Sequence, residues 1–154
     1  CSSDLLMRKW KILASIFALL VVCDEAKAGD KEDVLALMDG FYTALNTGDF
    51  DALEILPHTR FNRDGSLLES ADLEKIKAWL ASSGVKWNIQ THHSDVKICG
   101  DTAVFAAYES VSITPPNGKT RRETNRLTVV FAKQKGEWKY VHVHVSSLTP
   151  VNPE

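Results

Sequence analysis

Two histidines near the C-terminus, His142 and His144, are the pair whose type and spacing most directly suggest chemistry. On a β-strand, residues i and i+2 share a face and stand roughly 7 Å apart at Cα. Such a pair can chelate a metal ion if a further ligand reaches it. His92, His93 and Glu109 are candidates for that ligand, but nothing in their positions gathers them, so no metal and no other cofactor is expected. Proton transfer is the second chemistry on offer, with His92 or Tyr108 as the group that could carry it. Cys99 is the one cysteine after residue 28, which leaves neither an internal disulfide nor a cysteine metal site within 29–154.

These side chains need a sheet to hold them. Residues 136–146 alternate, with Trp138, Tyr140, His142, His144 and Ser146 on one parity and Val141, Val143 and Val145 on the other. Strict alternation sends the valines to one face and the aromatic and imidazole groups to the opposite face. Three more long runs, 85–98, 102–114 and 119–133, precede this one. Gly100-Asp101, Pro115-Pro116-Asn117-Gly118 and Lys135-Gly136 punctuate them as hairpin connections. Before the strands, Asp30 precedes a helical pattern in which Val34, Met38, Phe41 and Leu45 recur at helical spacing, until Gly48 stops it. A short helix over 50–56 capped by Asp49, a hairpin over 61–68 around Asp64-Gly65, and a third helix capped by Ser70 complete the order. Helices followed by an antiparallel meander predict an α+β domain with three N-terminal helices on one face of the sheet.

The N-terminal stretch reads as a targeting segment. From Met7, a basic start (Arg8, Lys9, Lys11), an apolar run from Ile12 to Cys23 and the small-x-small site Ala26-Lys27-Ala28 are the three parts of a secretory signal. The apolar run is shorter than the about 20 residues that span a bilayer. The expectation is an upstream extension and signal peptide over 1–28, cleaved after Ala28, and one domain over 29–154 in the periplasm or secreted. A lipid anchor at Cys23 ranks below simple cleavage, because Val22 is bulky where a small residue would precede a lipidated cysteine. The whole chain carries 18 basic and 20 acidic side chains, a net charge of −2, and lacks the clustered positive face of a nucleic-acid binder. Neither nucleic acid nor, after cleavage, a membrane is an expected partner.

The order of elements, together with Phe41-Tyr42-Thr43-Ala44-Leu45-Asn46-Thr47-Gly48-Asp49 and the closing Gly-x-Trp-x-x-Val-His-x-His-x-Ser, resembles the SnoaL-like branch of the nuclear-transport-factor-2-like superfamily. The pattern is most similar to the association domain of calcium/calmodulin-dependent protein kinases. The resemblance covers residues 30–149 and implies a cone-shaped, strongly curved antiparallel sheet (a cystatin-like fold), with the helices on its concave face. It also implies a pocket inside the cone and pairing of two copies through the outer sheet surface. In the kinase domains that pocket is an anion site. The matching positions here are Ser110, Val129 and Val145 in place of arginines, and Asn88 in place of a histidine, so a carboxylate ligand has no partners. Phe41 stands where ketosteroid isomerases of the same superfamily place an oxyanion-binding tyrosine, and Tyr42 points about 100° away around the helix.

From the resemblance, Tyr42, Asn88, Gln90, His92, Tyr108, Ser110, Asn125, Val129 and Val145 are the pocket-lining candidates, and Arg126, Thr128, Tyr140, His142 and His144 are the dimer-interface candidates. On this parity Glu109 faces outward. The apolar parity of strand 102–114 (Phe105, Ala107, Val111, Ile113) argues the reverse, and the sequence leaves the two readings open. The function implied is an exported homodimer that binds a small neutral or weakly polar molecule or serves in assembly. The alternative is a cofactor-independent isomerase, cyclase or dehydratase.

Overall fold

The computed structural model describes residues 29–53 and 57–148. The signal-peptide segment and Cys23 lie outside them. Helix α1 (Asp30–Thr47) starts directly at Asp30, with Gly29 rather than Asp30 in the capping position. Asp30 is buried and forms an ion pair with Lys133, which ties the start of the helix to the sheet. Gly48, left-handed at φ 77°, closes α1 by donating its N–H to the Ala44 carbonyl at 3.0 Å.

The expected three helices are two. The segment after Asp49 makes only a 3-10 turn, Phe50–Ala52, and residues 54–56 of the anticipated short helix lie outside the described part of the chain. Strands β1 (His58–Phe61) and β2 (Glu69–Ala71) form the hairpin around Asp64-Gly65. Ser70 therefore belongs to a strand. Asp72 caps helix α2 (Leu73–Ser83), accepting the Lys75 N–H at 3.2 Å.

The long strands are β3 (Lys86–Cys99), β4 (Thr102–Thr114), β5 (Arg121–Gln134) and β6 (Glu137–Ser147). They form one six-stranded curved sheet in the order β2-β1-β6-β5-β4-β3, with β1 running parallel to β6 and the other pairs antiparallel. Lys135 and Gly136 both have positive φ, as a two-residue hairpin turn between β5 and β6 requires.

Two bulges set the faces. Tyr140 pairs with Phe131 and His142 with Val130, so Val141 is an extra residue in β6. Trp138 and Tyr140 therefore point inward together with Val143 and Val145, while His142 and His144 point outward. The strict alternation expected for this strand fails at Val141, because an inserted residue reverses parity beyond it. In β3, His93 and Ser94 together stand opposite Ala107, with His93 at φ 51°.

The core lies between α1 and the inner face, with Phe105, Phe131, Val34 and Val129 almost fully buried. Each such side chain contributes about 1.5–3 kcal/mol by leaving water. Asn46, within the sequence motif that ends α1, fastens the helix to the free edge of β3. Its Nδ2 donates to the Ile89 carbonyl at 3.0 Å, and its Oδ1 accepts the Ile89 N–H at 2.7 Å. A side-chain amide thus stands in for a seventh strand at one residue. Asn46→Ala leaves both backbone groups without that partner and is expected to cost about 2 kcal/mol, read as a lower urea midpoint with an unchanged slope.

Candidate functional site

On the inner face, one row of directly opposed residues runs Thr91, Glu109, Asn125, Ser147 across β3, β4, β5 and β6. The neighbouring rows are apolar next to Glu109, with Ile89 and Val111 in one, which ends in β5 at the ion-paired Glu123, and Ala107 and Leu127 in the other. Glu109 is 7% exposed and Asn125 4%. The Tyr42 hydroxyl descends from α1 and donates to Glu109 Oε1 at 2.7 Å. Asn125 donates to the same carboxyl group, while its own Oδ1 is buried with no hydrogen-bond partner. No ion pair to Glu109 is present among the described residues.

Burial pushes the Glu109 carboxyl above the ordinary carboxylate range, and the hydrogen bonds from Tyr42 and Asn125 oppose that shift only in part. The Tyr42 phenol is pushed far up, first by burial and then by the neighbouring Glu109. Tyr42 is therefore a phenol at any physiological pH and can donate but not act as a base. A protonated Glu109 both donates and accepts, and its proton could satisfy the empty Asn125 oxygen. The cluster is a buried donor and acceptor set, and burial favours the uncharged form of its carboxyl group.

Beside it, Leu35, Met38, Tyr42, Thr91, Ser94 and Phe105, with the carboxylate of Asp39, line a cavity of about 250 Å³ between α1 and β3. The β3 bulge brings Ser94 to its wall. Engineered apolar cavities of about 150 Å³ accept a benzene molecule, so this one suits a single-ring or short-chain ligand.

Of the residues expected to line a pocket, Tyr42, Asn125, Val129 and Val145 lie on the inner face, and Glu109 joins the first two. Asn88, Gln90, His92, Tyr108 and Ser110 are corrected to the outer face. Their strand partners Ser112, Ser110 and Tyr108 share that side, and His92 Nε2 lies 3.0 Å from Ser110 Oγ. The reason is parity: Phe105, Ala107 and Val111 claim the inside of β4, which carries Glu109 with them. Glu109 is the site residue that the resemblance places outside. The signal that turns it inward is its place at period two within the apolar series of β4.

The anticipated interface residues divide as well. Arg126, Thr128, His142 and His144 share the outer face, and Tyr140 is corrected to the core at 7% exposure, carried there by the Val141 bulge. His142 Nδ1 lies 2.8 Å from Thr59 Oγ1, and Phe61 packs its ring edge against both histidines. Arg126 donates to the Ser147 carbonyl at 3.0 Å. Val104, Ala106 and Val130 form the apolar middle of this face. Among the described residues, no group of three or more His, Cys, Asp or Glu side chains gathers as a metal site.

The profile of the SnoaL-like domain family matches residues 34–150, most of the chain and every element from α1 to β6. The chain belongs to the SnoaL-like domain family. Solved structures similar to this SnoaL-like domain include the CaMKII hub of S. rosetta, at 27% identity over 80% of this chain and 100% of that one, with a TM-score of 0.64. The association domain of C. elegans CaMKII is similar at 22% identity, covering 80% and 100%, with a TM-score of 0.60. A nuclear transport factor 2-like superfamily protein from Salmonella enterica aligns at 18% identity over 82% and 96%, with a TM-score of 0.68. These likenesses place the SnoaL-like domain in the nuclear-transport-factor-2-like fold.

Proposed function

We propose that this SnoaL-like domain is an exported, self-pairing binder of a small neutral molecule that carries an acceptor oxygen. One observation carries the reading: Glu109 and Tyr42 are buried together without an ion pair to either among the described residues, and Tyr42 lines a cavity of single-ring size. Burying an anionic ligand there, beside Asp39 and with no cation among the described lining residues, would leave its charge uncompensated, at a cost of several kcal/mol. A carbonyl or hydroxyl oxygen could instead accept from Tyr42 once Glu109 holds its own proton. Export rests on the signal features of residues 7–28. Self-pairing rests on the outer face, where Val104, Ala106 and Val130 lie inside a polar margin that includes Arg126 and His144. The hub and association domains of the kinases, by their names, serve in assembly.

A second reading, a cofactor-independent isomerase, cyclase or dehydratase, gains from the inward position of Glu109. A carboxyl group held above its usual range beside a tyrosine is a suitable proton donor and acceptor.

Native mass spectrometry of residues 29–154 tests the proposal. The expected result is a dimer carrying a small non-covalent mass, which Tyr42→Phe loses while remaining a dimer. Ala106→Arg, at the middle of the outer face, is expected to give a folded monomer. A parent that stays monomeric at tens of micromolar would remove the pairing, and unchanged bound mass in Tyr42→Phe would remove the site.

A further inference from the structure

Helix α1 is pinned to β3 on one flank, and on its other flank a groove of about 530 Å³ separates it from the start of β6. This volume lies within the about 300–1,000 Å³ usual for small-molecule sites. From Asp33 to Phe41 the helix wall is about 12 Å long by its rise per residue. Leu37 and Phe41 form that wall, and Trp138 and Tyr140 form the facing one. The Tyr140 hydroxyl reaches across to the Leu37 carbonyl at 3.4 Å, and the Phe41 and Tyr140 rings stand 6.4 Å apart.

Gly40 lies at the Phe41 end of the helix wall. Glycine is a poor residue for a helix interior, and a Cβ there would meet nothing within 4 Å. No packing demand explains it, and its effect is to keep the groove wide.

Charge distinguishes the two ends. Lys139 is committed to Glu137 at 2.7 Å, and Lys133 to Asp30. Asp33, in the first turn of α1 at the groove's rim, has no ion pair among the described residues. One end is therefore an uncommitted carboxylate, and the walls beyond it combine Leu37, Phe41, Trp138 and Tyr140 with the mutually neutralised Glu137–Lys139 pair.

We propose that this groove binds a primary amine carried on a flat apolar body, with the ammonium at Asp33 and the body against Phe41, Trp138 and Tyr140. A carboxylate of the same shape would meet the unpaired Asp33 and be repelled. The site is separate from the Tyr42 cavity, which opens on the opposite flank of α1.

The probe is 4-phenylbutylamine, with 4-phenylbutanoate as the shape-matched acid, titrated into ¹⁵N-labelled residues 29–154. The amine is expected to move the Gly40 amide and Trp138 indole signals and to bind at least tenfold more tightly than the acid. Asp33→Asn should remove most of that preference, and Tyr42→Phe should leave it unchanged. Gly40→Leu should abolish binding while the melting temperature stays at or above the parent's. Equal binding of amine and acid, shifts confined to other residues, or full binding by folded Gly40→Leu would each overturn the proposal. Should Gly40→Leu not fold, the Asp33→Asn comparison decides alone: an undiminished preference for the amine overturns it.

Discussion

Glu109→Gln is expected to raise stability at neutral pH and to flatten its pH dependence. In the parent, the folded carboxyl keeps its proton to higher pH than the same group in the unfolded chain, because burial outweighs the bonds from Tyr42 and Asn125. Between the two values the folded state holds more protons. The stability associated with this group is thus fully present below the unfolded value of about 4.3. It is lost progressively as pH rises through the raised folded value, and the curve is flat beyond. Glutamine never ionises and can still accept the Tyr42 hydroxyl. Its amide can also donate to Asn125 Oδ1, which has no partner now. Supplying a partner for a buried acceptor is worth about 1–3 kcal/mol, enough to shift the melting temperature by several degrees at this size. Melts of parent and variant from pH 4 to 8 would check this. A variant less stable than the parent at pH 8, or a parent whose stability climbs with pH relative to the variant, would show that Glu109 is ionised and compensated. In the same variant the Tyr42 hydroxyl stays committed to the glutamine oxygen instead of donating to a ligand, so higher stability and weaker binding are expected together.

Loss of the two inward aromatics of β6 is the second large effect. The Val141 bulge lets Trp138 and Tyr140 share the inner face with Val143 and Val145. Trp138 is 4% exposed and Tyr140 7%. Losing a buried aromatic costs about 3–5 kcal/mol, and two such losses rival the about 5–15 kcal/mol that stabilises a domain. The double variant Trp138→Ala, Tyr140→Ala should not fold. Deletion of Val141 leaves a regular strand with Trp138, Tyr140, Val143 and Val145 still on one face, and that protein should fold. Circular dichroism melts separate the two. A double variant with a cooperative melt near the parent's, or a folded deletion variant with Trp138 open to a fluorescence quencher, would mean that these four side chains do not build the inner face of β6.

Both predictions rest on features that a one-dimensional reading handles unequally. The four long strands are legible to within two residues at each end, because their turns are marked by Gly and Pro and their interiors by β-branched and aromatic side chains. Helix α1 is legible for the same local reason. The short segments are not. Ser70 and Asp72 are both good capping residues two positions apart, and pairing with β1 decided between them. For the site, Tyr42 and Asn125 were legible from the resemblance. Glu109 was not, because an acid in a strand is ordinarily a solvent-facing residue, and only the demands of Phe105, Ala107 and Val111 turn it inward.

Local periodicity, turn residues and the two family-like motifs determined the class, the order of elements and the existence of two differently composed sheet faces. Those properties belong to neighbours along the chain. Which side chains face each other belongs to the folded sheet. Single inserted residues in β3 and β6 reverse every side chain beyond them, and helix docking brings Tyr42 to a carboxyl 67 residues away. Neither a bulge nor a docking contact leaves a periodic trace, so the tertiary structure alone decided what the acid meets inside and where the faces of β3 and β6 change over.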